Sequence, residues 1–194
     1  RRESYRSNSR KPIVEDGTLK DDQKRRDFTI NAMAISLNKN NYGDLLDPFN
    51  GVQDLKNKKI RTPLDPDITY SDDPLRMIRA IRFASTLNFN IHNDSLESIK
   101  KHATRLSIVS QERITEELNK ILLSEKPSYG LQLLLKTKTM HEFFLELTEL
   151  EGVEEKDGFA HKDNFFHTLE VVDNIKSKTT NLWLIWAALL HDIA

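Results

Sequence analysis

Arg25-Arg26-Asp27-Phe28-Thr29-Ile30-Asn31-Ala32-Met33-Ala34 decides the reading of this chain. Two guanidinium groups and a carboxylate run straight into an apolar stretch, so charged groups are tethered to a buried element. Two further blocks follow in order, Asp47-Pro48-Phe49-Asn50-Gly51-Val52-Gln53-Asp54-Leu55 and Asp72-Asp73-Pro74-Leu75-Arg76. Working outward, Thr18 with Asp21 predicts a helix N-cap opening a charged helix to about Phe28. Ala32 to Leu37 reads as a short buried strand, stopped by the turn Asn38-Lys39-Asn40-Asn41. Asp47-Pro48 and Asn50-Gly51 mark another turn, and Lys59 to Thr62 fits a last strand. Pro63, Pro66 and Asp67 predict a hinge. Beyond Ser71 the spacing is helical almost throughout, over about 72–88, 111–123, 128–136, 139–149, 163–177 and 181–193.

In the helix from 72, Ser71 is the expected cap, with Asp72 and Asp73 in a first turn where the helix dipole favours negative charge. At about 100° per residue, Arg76, Arg79 and Arg82 share one arc of roughly 120°. Met77, Ala80, Ile81, Ala84 and Leu87 should form the buried face. Asp72 stands four residues before Arg76, the spacing of a same-face pair. Taken alone, this is also the pattern of a solvated salt-bridged stripe.

The chain has 194 residues, 38% hydrophobic and 30% charged, which suits one or two globular domains with a core. A formal net charge of −1 gives no global pull toward nucleic acid, so RNA contact would need local basic patches. Lys100, Lys101, His102 and Arg105 form one such candidate, with a solvated face as the other reading. The absence of cysteine excludes disulfides and thiolate metal sites and is compatible with the cytoplasm. No apolar run reaches the roughly 18 residues of a membrane span. The ends, Arg1-Arg2-Glu3 and an apolar helical pattern running to Ala194, read as cuts through a longer protein.

The three blocks, in this order and spacing, resemble the class II template-independent tRNA nucleotidyltransferases, the CCA-adding enzymes, and equally the related bacterial poly(A) polymerases. The resemblance implies that Arg25, Arg26 and Asp27 meet the phosphates and ribose of a nucleotide, Asp27 accepting from the 2′-OH. It also implies that Asp73 and Arg76 read the base edge, with Asp72 bracing Arg76 and Arg79 beside them. The chemistry is consistent. Cytosine and adenine both present an amino donor beside a ring-nitrogen acceptor, whereas uracil and guanine present a carbonyl beside an N–H. A carboxylate next to a guanidinium pairs with the first two and leaves unpaired groups against the others. The family's usual block is Glu-Asp-x-x-Arg, so Asp72 is a shorter acid than usual. Asp47 to Leu55 resembles the family's flexible third block, or is only a turn.

In the family a Gly-rich strand–turn is followed by an Asp-x-Asp pair that holds two metal ions, Mg2+ here being the expectation, for in-line attack by the primer 3′-OH. The printed sequence holds one Asp-x-Asp, Asp65-Pro66-Asp67, with proline inside and no glycine turn before it; it reads as loop. No catalytic residue is therefore expected in this chain, which by itself should not catalyse. Near the other end, His161, His167 and His191-Asp192 resemble the opening of an HD domain, a helical metal-dependent phosphohydrolase fold. That resemblance implies a divalent transition-metal site on His167, His191 and Asp192, completed by a later Asp. His102 and His141 read as ordinary surface or helix-end residues.

The resulting expectation is a mainly α chain. A small α/β remnant of a nucleotidyltransferase head (1–62) precedes a helical neck (63–125), a helical body (126–158) and the start of an HD domain (159–194). Implied partners are CTP, ATP and the tRNA 3′ end, with neither DNA nor membrane. The alternatives are poly(A) addition, or an HD phosphohydrolase carrying an RNA- or nucleotide-binding module.

Overall fold

The computed structural model describes residues 2–4, 13–152, 155–156, 159–160 and 163–193. Along the chain these form β1 (Arg2–Ser4), β2 (Ile13–Glu15), α1 (Leu19–Lys24), β3 (Ala34–Ile35), β4 (Leu45–Leu46), α2 (Gly51–Lys56) and β5 (Lys59–Ile60). Then follow α3 (Pro66–Asp72), α4 (Leu75–Leu87), β6 (Asn90–Ile91), α5 (Asn93–His102), α6 (Gln111–Leu122), α7 (Pro127–Lys136) and α8 (Leu145–Thr148). The last elements are β7 (Glu155–Lys156), β8 (Phe159–Ala160), α9 (Asn164–Lys176) and α10 (Leu182–Leu190). Among the described residues the strands pair two by two, β5 with β6 in parallel and the others antiparallel. Helix carries the fold, as the periodicity predicts.

One buried cluster runs from Phe28, Ile60 and Tyr70 through α4, α6 and α7 to Val172 and Leu189. Helix α4 lies at its centre, with Met77, Ile78, Ala80, Ile81 and Ala84 fully buried. Each large side chain so placed contributes about 1.5–3 kcal/mol relative to exposure. The expected Leu87 is not among them: it is 41% exposed, on the last turn before left-handed Asn88 ends the helix.

The predicted cap of α1 is present, with Thr18 Oγ1 accepting from Asp21 N (3.2 Å) and Asp21 Oδ2 accepting from Thr18 N (3.0 Å). The helix ends at Lys24 rather than near Phe28. There the Asp27 carboxylate accepts from Phe28 N (2.9 Å), offering the backbone an alternative to the helical ladder. Phe28 turns into the core and meets the edge of Phe83 at 5.5 Å. The expected buried strand 32–37 shrinks to two residues, and Ile35 and Leu37 are 62% and 78% exposed.

The second block builds a helix start against the first. Asp47 accepts from Gly51 N (2.6 Å) and Val52 N (2.9 Å), filling two orphan donors of α2. Asn50 takes the left-handed conformation (φ 59°). A Cβ on Gly51 would collide with the Thr29 carbonyl and lie 3.0 Å from Met33 Cγ. Gly51→Ala is therefore expected to destabilise by about 1–3 kcal/mol, since backbone cannot yield as a side chain can. A urea-unfolding midpoint equal to wild type would refute this packing.

The predicted hinge is a helix. Asp65 caps α3 through Asp67 N (2.8 Å), and Pro66 at its first position has a pre-set φ. The expected helix 72–88 starts only at Leu75, because Pro74 disfavours helical backbone before it; Asp72 ends α3 and Asp73 is extended (φ −138°, ψ 98°). Ser71 thus lies inside α3 and caps nothing, and Asp73 Oδ1 instead accepts from Leu75 N (3.3 Å) at the head of α4. Helix α5 escapes the periodicity because Ser95 and Ser98 share its buried face with Ile99. The expected helix 139–149 is a 3-10 turn (Met140–Glu142) and the short α8.

Candidate nucleotide-recognition site

Helix α4 lies across the turn that follows α1. Arg76 Nη2 donates to the Arg25 carbonyl (2.8 Å), and Nη1 points at the Thr69 carbonyl (3.5 Å). Arg79 donates to Asp27 Oδ2 from both Nε (2.9 Å) and Nη2 (2.6 Å). Asp27 Oδ1 accepts from Phe28 N (2.9 Å) and Asn31 Nδ2 (3.0 Å). Asp27 is 8% exposed, and both its oxygens are engaged within the chain. Arg25 and Arg26 hold opposite oxygens of Asp22, at 2.5 and 2.8 Å.

Asp72 and Asp73 flank Arg76 without a hydrogen bond to its guanidinium. Asp72 accepts no hydrogen bond among the described residues, so the predicted Asp72–Arg76 pair does not close. Burial pushes the Asp72 carboxyl above its ordinary value, while Arg76 and Arg105 pull it back. Asp73 Oδ2 lies 3.7 Å from Arg113 Nη2. A guanidinium has five N–H donors in a fixed fork. The two directed at carbonyls leave much of the Arg76 fork beside two carboxylates, the donor and acceptor set a C or A edge requires.

Behind these groups stands Glu117 on α6, 3% exposed. It accepts from Arg82 Nε (3.0 Å) and Lys120 Nζ (2.7 Å), with Arg79 Nη1 at 3.8 Å. Burial pushes the Glu117 carboxyl up, but the hydrogen bonds from Lys120 and Arg82 more than offset this and hold it below its ordinary value. Arg82 also stacks on Phe83, its Cζ 3.5 Å from the ring centroid. Sequence reading missed Glu117 and Arg113. The available signal was an acid at 117 within the buried stripe of Ile114, Leu118 and Ile121, where a charge requires partners.

The basic stretch at the end of α5 and just beyond it faces acids and carbonyls of its own chain. Lys100 reaches Glu97 (2.7 Å), Lys101 pairs with Asp67, His102 Nε2 lies 3.3 Å from Asp67 Oδ1, and Arg105 donates to the Ser71 carbonyl (2.9 Å). Asp67 also accepts from Ser98 Oγ (2.6 Å), and Lys101 and Ser98 hold its carboxyl down at about 2. The Asp65-x-Asp67 pair is thus spent on capping α3 and docking α5, which does not suit a two-metal site.

His167 on α9 meets His191 and Asp192 at the end of α10, one ligand atom from each lying within 4.8 Å of the others. His191 Nδ1 is 2.8 Å from the Ala188 carbonyl, which leaves Nε2 facing Asp192 Oδ2 at 3.2 Å. Thr168 Oγ1 donates to the same oxygen at 3.4 Å. His167 Nδ1 is buried without a hydrogen-bond partner, an atom that burial ordinarily satisfies. The donors fit a divalent transition ion, with a carbonyl orienting one imidazole. His161 lies outside the described residues.

Residues 1–61 match the family described as the poly(A) polymerase head domain. Residues 88–151 match that described as a probable RNA- and SrmB-binding site of polymerase A. The A-adding tRNA nucleotidyltransferase of Aquifex aeolicus is 39% identical over 173 residues, covering 88% of this chain and 21% of that protein. The CCA-adding enzyme of Levilactobacillus brevis is 44% identical over 120 residues, covering 62% and 29%. The chain belongs to the tRNA nucleotidyltransferase and poly(A) polymerase family. Within that family, a crystal structure of a tRNA nucleotidyltransferase with a primer tRNA and an incoming ATP analogue superposes with TM-score 0.69 at 29% identity, covering 96% of this chain and 52% of the other. This family member thus spans about a fifth to a third of the length of those two curated relatives.

Proposed function

We propose that this chain is the nucleotide- and RNA-recognition part of an enzyme that adds C and A to tRNA 3′ ends from CTP and ATP without a template. One observation carries the reading. Arg76 and Arg79 grip Arg25 and Asp27 across 51 and 52 sequence positions, so the sugar- and base-reading blocks form one cluster. In this reading residues 1–62 end the catalytic head, 63–125 are the neck, 126–158 the body and 159–194 open an HD domain. Asp73 accepts from the base amino group, Arg76 donates to the ring nitrogen, Asp72 keeps a carboxylate behind that fork, and Arg25 and Arg26 meet phosphate. Arg79 holds Asp27 against the sugar position. Mg2+ would be the ion that activates the primer 3′-OH, and none of the carboxylates described above suits it. No helix among the described residues is long and apolar enough to cross a membrane, and we place the enzyme in the cytoplasm.

The test uses the complete protein, a labelled acceptor-stem hairpin ending before the CCA, and each nucleoside triphosphate separately. C addition from CTP, followed by A from ATP, is expected. Extension with UTP or GTP at equal rates, or no extension, would refute the assignment; long tracts of A alone would favour poly(A) addition.

The His167, His191 and Asp192 cluster favours a second activity, divalent-metal phosphoester hydrolysis. When bound, such an ion would supply an activated water. His167 and His191 would hold it through nitrogen and Asp192 through oxygen, with Thr168 and the Ala188 carbonyl fixing their orientation. Three donors are fewer than the four of a closed site. Calorimetric titration of the 194-residue chain with nickel, manganese and zinc is therefore expected to give binding weaker than micromolar. Micromolar binding abolished by His167→Ala would show that these three ligands suffice.

A further inference from the structure

The α5 lysines are occupied by acids, but another set of cations is not. Lys56 ends α2, Lys58 lies in the turn that follows and Lys59 opens β5; all three are exposed, and none of them pairs with an acid among the described residues. The nearest acid in sequence, Asp54, is turned inward and spent on Thr29 Oγ1 (2.7 Å) and Arg61 Nε (2.9 Å).

The turn is also fixed. Asn57 N donates to the Gln53 carbonyl (2.9 Å), Lys58 N to the Leu55 carbonyl (3.2 Å), and Asn90 N to the Lys58 carbonyl (2.9 Å). Lys59 stands in register with Asn90, while neighbouring Ile60 and Ile91 anchor the pair in the core. Lys58 sits at φ 52°, a left-handed conformation that glycine takes with less strain. On the β6 side the lysines are bordered by exposed Asn88 and Asn90, whose amides can donate and accept.

We propose that Lys56, Lys58 and Lys59, with Asn88 and Asn90 beside them, form a phosphate-backbone contact for the RNA primer. The inference rests on the RNA reading above. Fixed ammonium groups suit phosphates, and amides suit the ribose 2′-OH, so the surface recognises RNA shape without reading sequence.

The test measures binding of the complete protein to the acceptor-stem hairpin as a function of salt. Each phosphate contact contributes about 0.9 to the log–log salt slope. K56Q/K58Q/K59Q should therefore flatten the slope by about 2.7 and weaken binding on the order of tenfold or more at low salt, leaving CTP affinity unchanged. Lys58→Gly should raise the melting temperature and still weaken RNA binding, an opposition that a purely structural lysine would not produce. A wild-type slope in the triple variant, or a more stable Lys58→Gly variant with unchanged RNA affinity, would overturn the proposal. Vesicles of mixed neutral and anionic phospholipid supply the other source of phosphate. Vesicle binding lost in the triple variant while hairpin binding persists would assign the lysines to a membrane and overturn it as well. If the wild-type protein binds no hairpin, the RNA reading fails too; if it binds and the variants match it, only this contact fails.

Discussion

Arg76→Ala in the complete protein is expected to lose discrimination for CTP and ATP against UTP and GTP together, by roughly 10- to 150-fold. This corresponds to the ~1.5–3 kcal/mol of a hydrogen bond to a charged group. The expectation follows from the open part of the Arg76 fork beside Asp72 and Asp73, which no described residue fills. Arg76→Lys separates reading from support: an ammonium can still donate to the Arg25 carbonyl, but it lacks the planar fork, so selectivity should fall while stability holds. Asp72→Glu should be nearly silent, since Asp72 accepts no hydrogen bond among the described residues and the longer side chain restores the family's usual acid. The measurement is single-turnover incorporation of each nucleotide. A protein without Arg76 that rejects UTP and GTP as well as wild type would move base selection elsewhere.

Arg79→Ala should be the most destabilising change at the site. It leaves Asp27 Oδ2, on a side chain 9% exposed, without either of its guanidinium donors. Breaking a fully buried ion pair costs about 3–5 kcal/mol. Arg79 itself is 32% exposed, so solvent reduces that figure, and about 2–3 kcal/mol is expected. A double-mutant cycle checks the cause. In an Asp27→Asn background the buried charge is already gone, and Arg79→Ala should then cost about 1 kcal/mol or less. Equal costs in both backgrounds, read from urea-unfolding midpoints, would mean that Arg79 stabilises through Phe83 (5.6 Å from its Cζ to the ring centroid) or Glu117 (3.8 Å) and not through Asp27.

The sequence by itself determined that helix carries the fold and which face of α4 is buried. The period of Met77, Ala80, Ile81 and Ala84 is a local property, and those residues are buried as it requires. Thr18 and Asp21 close their capping box because both partners lie within one turn. The three blocks also identified the family, since their order and spacing are written along the chain. Backbone constraint overrides hydrophobic period where the two conflict. Pro74 delays the expected helix 72–88 to Leu75, and Asp65-Pro66 opens a helix in place of a hinge.

Only the tertiary structure decided which charges are available. Lys100, Lys101 and Arg105 look like an RNA face in one dimension, but folding brings Asp67, Glu97 and the Ser71 carbonyl to them. Lys56, Lys58 and Lys59 look ordinary in sequence and remain unpaired among the described residues because Asp54 turns inward toward Arg61. Asp27 and Arg79 become partners across 52 positions, and Glu117 gathers Arg82 and Lys120 behind them. An ion pair depends on distances of a few ångströms between groups remote along the chain. Hydrophobic period and capping are written locally; the neutralisation of a charge is set by whichever chain segment folding brings beside it.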